Sequence, residues 1–227
     1  MAMETLQNGE HATRSSERCY QILRKMLTCA QIAPGTRLRE VEWSEKLGVQ
    51  RAALREAMAL LVHDGLLLRR STGGFFTPRL DEIDIDSVVE ARIVLEVGAL
   101  RLTCQRSLLP AAFQPVHDIC DMMQMCHEAG LSSGFAEADF LFHQKLLELS
   151  GNPHLIQMFS HSSQLIFVAA PVTERVRAQN EMATIQEHRQ ILESAENCQL
   201  PEAVAQLQRH LQKTKDGLNA ALQYFRQ

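Results

Sequence analysis

The 227-residue sequence has no Cys-x-x-Cys pair, no long apolar run, no internal repeat and no low-complexity tract. Each absence removes a class of protein. No run approaches the ~18–20 apolar residues that a membrane helix needs, so no membrane partner is expected. The six cysteines (Cys19, Cys29, Cys104, Cys120, Cys126 and Cys198) are scattered, and a chain of this size needs no disulfide staples. They read as reduced, mostly core residues, which suits a cytoplasmic protein. Cys120, Cys126 and His127 form a ligand cluster only on paper, because positions six apart point to opposite sides of a helix. The stretch Met1–Arg14 is polar and mixed in charge, unlike a secretory leader, and is expected to be a flexible N-terminus over 1–15.

What is present suits a soluble globular chain, with 45% hydrophobic and 22% charged residues. The length accommodates two domains of ~100–150 residues. The net charge of −4 conceals an asymmetry. Met1–Thr77 holds 11 Lys and Arg against 8 Asp and Glu, while Pro78–Gln227 holds 12 against 19. A mildly basic front and an acidic back point to two domains with different partners.

Helical periodicity begins after Ser15-Ser16, runs through Tyr20, Leu23, Met26 and Leu27, and stops at Ala33-Pro34-Gly35. A short helix is expected over Arg39–Leu47, a turn at Gly48, a second helix over Gln50–Asp64, then a β-hairpin around Gly73-Gly74. That order is a winged helix-turn-helix over 16–77. An acidic linker over 78–86 follows. Beyond it the pattern is all helical: Ile83–Ser107, Ala111–Ala129, Phe135–Leu149, Pro153–Ala169, Ala178–Asn197 and Pro201–Phe225. The breaks are Pro110, Gly130 to Gly134, Gly151-Asn152-Pro153, Pro171 and Leu200-Pro201. The fold class is therefore mainly α: a winged helix-turn-helix followed by an antiparallel helical bundle over 87–227.

In the helix from Gln50, Val49, Leu54, Ala57, Met58 and Leu61 would pack inward. Gln50, Arg51, Ala53 and Arg55 gather near its start on the free side. In a helix-turn-helix those positions enter the major groove, where arginine can bond the O6 and N7 of guanine. Arg37, Arg39, Lys46, Arg69 and Arg70 could contact phosphates, which orient without specifying. Taken alone, Arg51 and Arg55 could equally pair with Glu56 or Asp64 on a solvated face. Pro34-Gly35-Thr36-Arg37-Leu38-Arg39-Glu40, Leu47-Gly48-Val49, Leu54-Arg55-Glu56-Ala57, Leu61 and Asp64-Gly65-Leu66 resemble the winged helix-turn-helix of GntR-family bacterial transcription regulators. The resemblance covers Ser16 to Pro78. It implies that Arg51 and Arg55 read bases, that Gln50 occupies a small polar position, and that Gly73 or Gly74 forms a wing tip entering the minor groove. It also implies operators of the form T-G-G-T…A-C-C-A. The sequence departs from the family pattern at Gln50, where Ser or Thr is usual, at Ala52-Ala53, where hydroxyl or Pro residues are usual, and at Trp43, where Leu is usual. Ala53 could still touch a thymine methyl.

In the acidic half, Asp139 and His143 lie four apart and share one helix face. His188 shares its face with Ile185 and Leu192, and His210 with Ala203 and Leu207. One carboxylate and three imidazoles are thus aimed into a bundle, a donor set suited to Zn, Ni, Mn or Fe. An Asp alone in an apolar core would cost several kcal/mol, so a positive partner is expected beside it. His117, His127, His154 and His161 have no comparable arrangement. Ala91-Arg92-Ile93-Val94-Leu95-Glu96, Asp139 to His143, Leu149-Ser150-Gly151-Asn152-Pro153, Glu187-His188 and His210 resemble the FadR C-terminal domain (FCD) family, over Asp86 to Tyr224. The resemblance implies a divalent metal, zinc first, on Asp139, His143, His188 and His210. It implies a small organic acid effector bound by Arg92 and Asn152. Arg92 could instead pair with Glu96 or Glu90 on its own helix.

The expected function is a homodimeric transcription regulator that reads a near-palindromic double-stranded operator and responds to a metal-bound acid. Two alternatives remain at this point. One is a repressor for which the metal itself is the signal. The other is a metal-dependent enzyme acting on carboxylic acids, although no Glu or Lys stands at a spacing that marks a general base and a helix-turn-helix has no use on an enzyme.

Overall fold

The computed structural model describes residues 15–27, 31–71, 73–79, 85–162 and 174–225. The chain divides into two compact units, 1–83 and 84–227. Among the described residues, no helix is long and apolar enough to cross a membrane.

The first unit contains α1 (15–27), β1 (Arg37–Leu38), α2 (Glu40–Leu47), α3 (Arg51–His63), β2 (Leu68–Arg69) and β3 (Phe75–Phe76). Its core joins Cys19, Leu23 and Leu27 of α1 to Trp43 of α2, Leu54, Met58 and Leu61 of α3, and Phe75 of β3. The α2–α3 turn rests on Gly48, whose φ of 65° lies in the left-handed region that only glycine enters without strain. Tyr20 donates its hydroxyl to Asp64 at 2.7 Å, fastening α1 to the end of α3. The sheet has three strands in the order β1-β3-β2, with Arg37 opposite Phe76 and Leu68 opposite Phe76 across two antiparallel pairings. The sequence pattern leads only to the β2–β3 hairpin. A two-residue strand carries no periodicity, so β1 is invisible until Thr36 and Thr77 are seen to bond each other at 2.7 Å.

The second unit is all helical: α4 (Ile85–Arg106), a 3₁₀ turn (Pro110–Ala112), α5 (Gln114–Glu128), α6 (Ser132–Leu149), α7 (Pro153–Ser162), α8 (Glu174–Glu196) and α9 (Leu200–Phe225). α4 packs on α9 and α6, α5 on α6 and α8, and α8 on α9. Three helix starts differ from expectation by three or four residues, and one of them is α8, which begins at Glu174 rather than Ala178. The helix expected over Ala111–Ala129 divides into the 3₁₀ turn and α5. α6 begins at Ser132 rather than Phe135, so Gly134 lies inside a helix instead of a break. A Cβ at Gly134 would stand 2.8 Å from Cys126 Sγ of α5, which explains the glycine by close approach of the two helices. The expected end of the α7 helix at Ala169 and the break at Pro171 lie outside the described residues. α4 is unusual in what it turns inward, because Arg92, Glu96 and Thr103 are all buried.

Candidate metal centre and nucleic-acid interface

α6 places Asp139 and His143 one turn apart on its inner face, α8 contributes His188 and α9 contributes His210. One ligand atom from each of the four residues falls within 4.8 Å of every other. His188 Nε2 lies 3.3 Å from His210 Nε2, and His210 Nε2 lies 3.3 Å from His143 Nε2. His188 Nε2 is also 3.4 Å from Asp139 Oδ1. Phe142 stacks on the His188 ring at 3.8 Å and fixes its plane.

The opposite ring nitrogens explain this convergence. His143 Nδ1 meets Glu96 Oε2 at 2.7 Å, and His210 Nδ1 meets Glu187 Oε2 at 2.9 Å. His188 Nδ1 faces the Met123 sulfur at 3.4 Å. Acceptors at all three Nδ1 positions place the ring protons there, so the Nε2 lone pairs face one another. Burial, the Arg92 charge and neighbouring imidazoles hold His143 and His188 well below the usual histidine range. Burial also pushes the Asp139 carboxyl up, and its Oδ1 has no hydrogen-bond partner. Three lone pairs and a desolvated carboxylate pointing at one spot repel each other unless a cation lies between them.

Two carboxylates bond to histidines of this cluster, a role that the sequence reading assigns to neither. Glu96 is fully buried, accepts from Arg92 Nε at 2.8 Å through its other oxygen, and thereby links α4 to His143 on α6. Burial raises its carboxyl, against the lowering effect of Arg92. Glu187 sits beside His210, which lowers its carboxyl first, with Lys213 adding to this. Lys213 donates to Glu187 in a very short contact. Glu187, His210 and Lys213 line a cleft of about 260 Å³ with Gln186, Gln206 and Arg209. Glu96 is legible in the sequence only as a partner for Arg92, four residues away. The partnership of Glu96 and His143, 47 residues apart, leaves no local signal.

Arg92 is 1% exposed, bonded to Glu96 and stacked 5.7 Å from the Phe159 ring. Pairing with its own helix, one of the two readings open in the sequence, is therefore realised. Asn152 does not join the cluster: its Oδ1 accepts the His154 backbone N–H at 3.1 Å and caps α7. The histidines set aside behave as ordinary partners, His117 with Glu196 at 3.1 Å and His127 with Glu181 at 2.9 Å. The His161 side chain lies outside the described residues.

In the first unit, Gln50 is the N-cap of α3, and Arg51 and Arg55 are exposed on its first turns. Arg55 donates through Nε and Nη2 to Glu40 of α2, at 3.1 and 2.6 Å, rather than to Glu56 or Asp64. Ala53 corrects the expected face. It is 5% exposed and packs inward, because it lies one turn before Ala57 on the same stripe. Arg39 pairs with Glu42 at 3.0 Å on the surface. At the wing, Gly73 and Gly74 both have positive φ, of 83° and 98°. Arg37 and Arg70 both stand over the Phe76 ring, at 5.7 and 4.9 Å.

This geometry defines a class: a winged-helix DNA-binding protein with a helical second unit able to hold a ligand. Residues 15–77 match the gntR family of bacterial regulatory proteins, and residues 87–213 match the FCD domain. The chain belongs to the GntR family of transcription regulators, in its FCD-containing group. It is 30% identical over 181 residues to the HTH-type transcriptional regulator YdhC of Bacillus subtilis strain 168, covering 77% of both chains. It is 35% identical over 135 residues to the Nta operon transcriptional regulator of Aminobacter aminovorans, covering 59% of this chain and 62% of that one. The structure of Escherichia coli McbR/YncC shares the fold, with a TM-score of 0.78 at 20% identity over 92% of this chain and 98% of that one. The chain is accordingly a DNA-binding transcription regulator, and the families and relatives it matches are regulators rather than enzymes.

Proposed function

We propose that this regulator holds a divalent metal on Asp139, His143, His188 and His210 and senses a small organic acid there, with operator binding as the output. Residues 16–77 read DNA, 87–227 sense, and 78–86 join them. The observation that carries the metal is the meeting of three Nε2 lone pairs, with His210 Nε2 3.3 Å from those of His188 and His143. Zinc–nitrogen bonds of ~2.0–2.1 Å in a tetrahedral shell place their nitrogens ~3.3–3.4 Å apart, which favours zinc among the candidates. A bound metal supplies a Lewis-acidic position for one carboxylate oxygen of the effector. Arg92 offers a guanidinium matched to carboxylate geometry. Recognition rests on Arg51 and Arg55, the wing glycines and the surrounding arginines. A homodimer would meet a near-palindromic operator with one recognition helix per half-site.

Elemental analysis of Asp139→Ala and His143→Ala tests the site: both lose metal, and unchanged content overturns it. A thermal-shift screen of small carboxylates, with and without chelator, tests the effector, because a true ligand stabilises in proportion to the logarithm of its concentration over Kd. One observation favours a second reading in which the metal alone is the signal: Glu96 already engages Arg92 in the buried interior. Titrating metal into an operator-binding assay without acid separates the two.

A further inference from the structure

Four helix ends among the described residues close with the same pair of backbone bonds, one from the residue in the left-handed region and one from the residue after it. Gly48 and Val49 close α2, Gly65 and Leu66 close α3, and Gly130 and Leu131 close α5. At the end of α8 the same bonds run from Cys198 to Ala195 at 3.1 Å and from Gln199 to Ser194 at 2.8 Å. Here the left-handed residue, with a φ of 54°, is a cysteine. A side chain other than glycine or asparagine is rare at this position because its Cβ crowds the backbone. The local conformation therefore gives no reason for a cysteine, and its neighbours do.

Cys198 is exposed, and its thiol donates to the backbone carbonyl of Cys104 at 3.9 Å. Cys104, in the last turns of α4, donates its own thiol to the Ala195 carbonyl at 3.9 Å. Each sulfur thus reaches into the backbone beside the other. Burial, with the neighbouring thiol, pushes the Cys104 thiol up, which suits a thiol that waits for an activated partner rather than one that reacts first. Cys120, by contrast, is buried in α5, and its thiol is pushed up to about 11 by burial.

We propose that Cys104 and Cys198 form a peroxide-oxidisable dithiol that cross-links the end of α4 to the turn between α8 and α9. The Cys198 thiolate attacks one oxygen of hydrogen peroxide, breaking the O–O bond. This gives a sulfenic acid, and the other oxygen leaves as hydroxide, which takes up the thiol proton as water. The Cys104 sulfur then attacks the Cys198 sulfur, and the hydroxyl departs with the Cys104 proton as a second water. Two thiols and one peroxide become one disulfide and two waters. The bond would tie together the three helices that carry Glu96, His188 and His210.

The test is a non-reducing peptide map of the full chain after treatment with hydrogen peroxide. The expected product is a single linked peptide pair containing Cys104 and Cys198 within one chain, lost on adding dithiothreitol. Cys198→Gly, which suits the left-handed turn, should abolish the pair without unfolding the protein. Cys104→Ser should leave Cys198 as a sulfenic acid that dimedone traps. Cys198 oxidised to a sulfinic acid beside a free Cys104 would overturn the proposal. So would a bond joining either cysteine to another partner.

Discussion

Glu96→Gln is the most informative single change, because one buried side chain touches both Arg92 and His143. The amide keeps the shape of the carboxylate but has only one acceptor oxygen. It can accept from Arg92 Nε or from His143 Nδ1, and its NH₂ then faces the other N–H. The substitution also takes the Glu96 charge away from the Arg92 guanidinium, which is 1% exposed. Breaking a buried ion pair from one side costs ~3–5 kcal/mol. Folded domains have only ~5–15 kcal/mol in all, so urea unfolding should show a large fall in midpoint. Loss of a partner to a metal-ligating histidine weakens metal affinity by ~10–100-fold, or ~1.4–2.8 kcal/mol. Competition with a zinc chelator of known affinity reads that second effect separately. Arg92→Met with Glu96→Gln removes the buried cation as well, and should recover much of the stability while leaving metal affinity weakened. A Glu96→Gln protein with unfolding midpoint and zinc affinity both at wild-type values would refute the reasoning.

Four further outcomes follow from other parts of the molecule. Gly134→Ala should destabilise by ~1–3 kcal/mol, since its Cβ would meet Cys126 Sγ at 2.8 Å, and Cys126→Ala should relieve it in a double-mutant cycle. Arg51→Ala and Arg55→Ala should each lose ~1–3 kcal/mol of discrimination between operator and mismatched DNA by gel shift, with metal content unchanged. Glu40→Ala, which frees Arg55 from its 2.6 Å partner, should alter operator affinity but not thermal stability by more than ~0.5 kcal/mol, as expected of an exposed pair. Cys198→Gly should stabilise the reduced protein by ~1 kcal/mol in thermal unfolding, by relieving a φ of 54°.

The helices were legible because their apolar positions recur at three and four residues and their ends carry Gly or Pro. The convergence of Asp139, His143, His188 and His210 was legible for the same reason: the 3.6-residue period says which face of each helix is buried, and a polar residue there needs a purpose. Features set by neighbours distant in sequence were not. Glu96 reads as a routine partner for Arg92, four residues away, until folding brings His143 to its second oxygen. Gly134 reads as a loop glycine until α5 is laid against α6. Ala53 reads as a free-face residue because residue type says little about an alanine. Only the width of the packed stripe, running through Leu54, Ala57 and Met58, decides its side.

Metal loading would change the charge at the buried cluster. The ion pair of Arg92 with Glu96 brings one charge of each sign, and Asp139 adds a carboxyl beside the three imidazoles. A divalent ion among the four ligands would add two positive charges there, creating an attractive field for anions inside an otherwise acidic half. Metal and acid would then be ordered events, the first setting the polarity that the second requires. Across a series of small ligands, affinity for carboxylates should therefore rise steeply with metal loading, while affinity for their neutral amides should not.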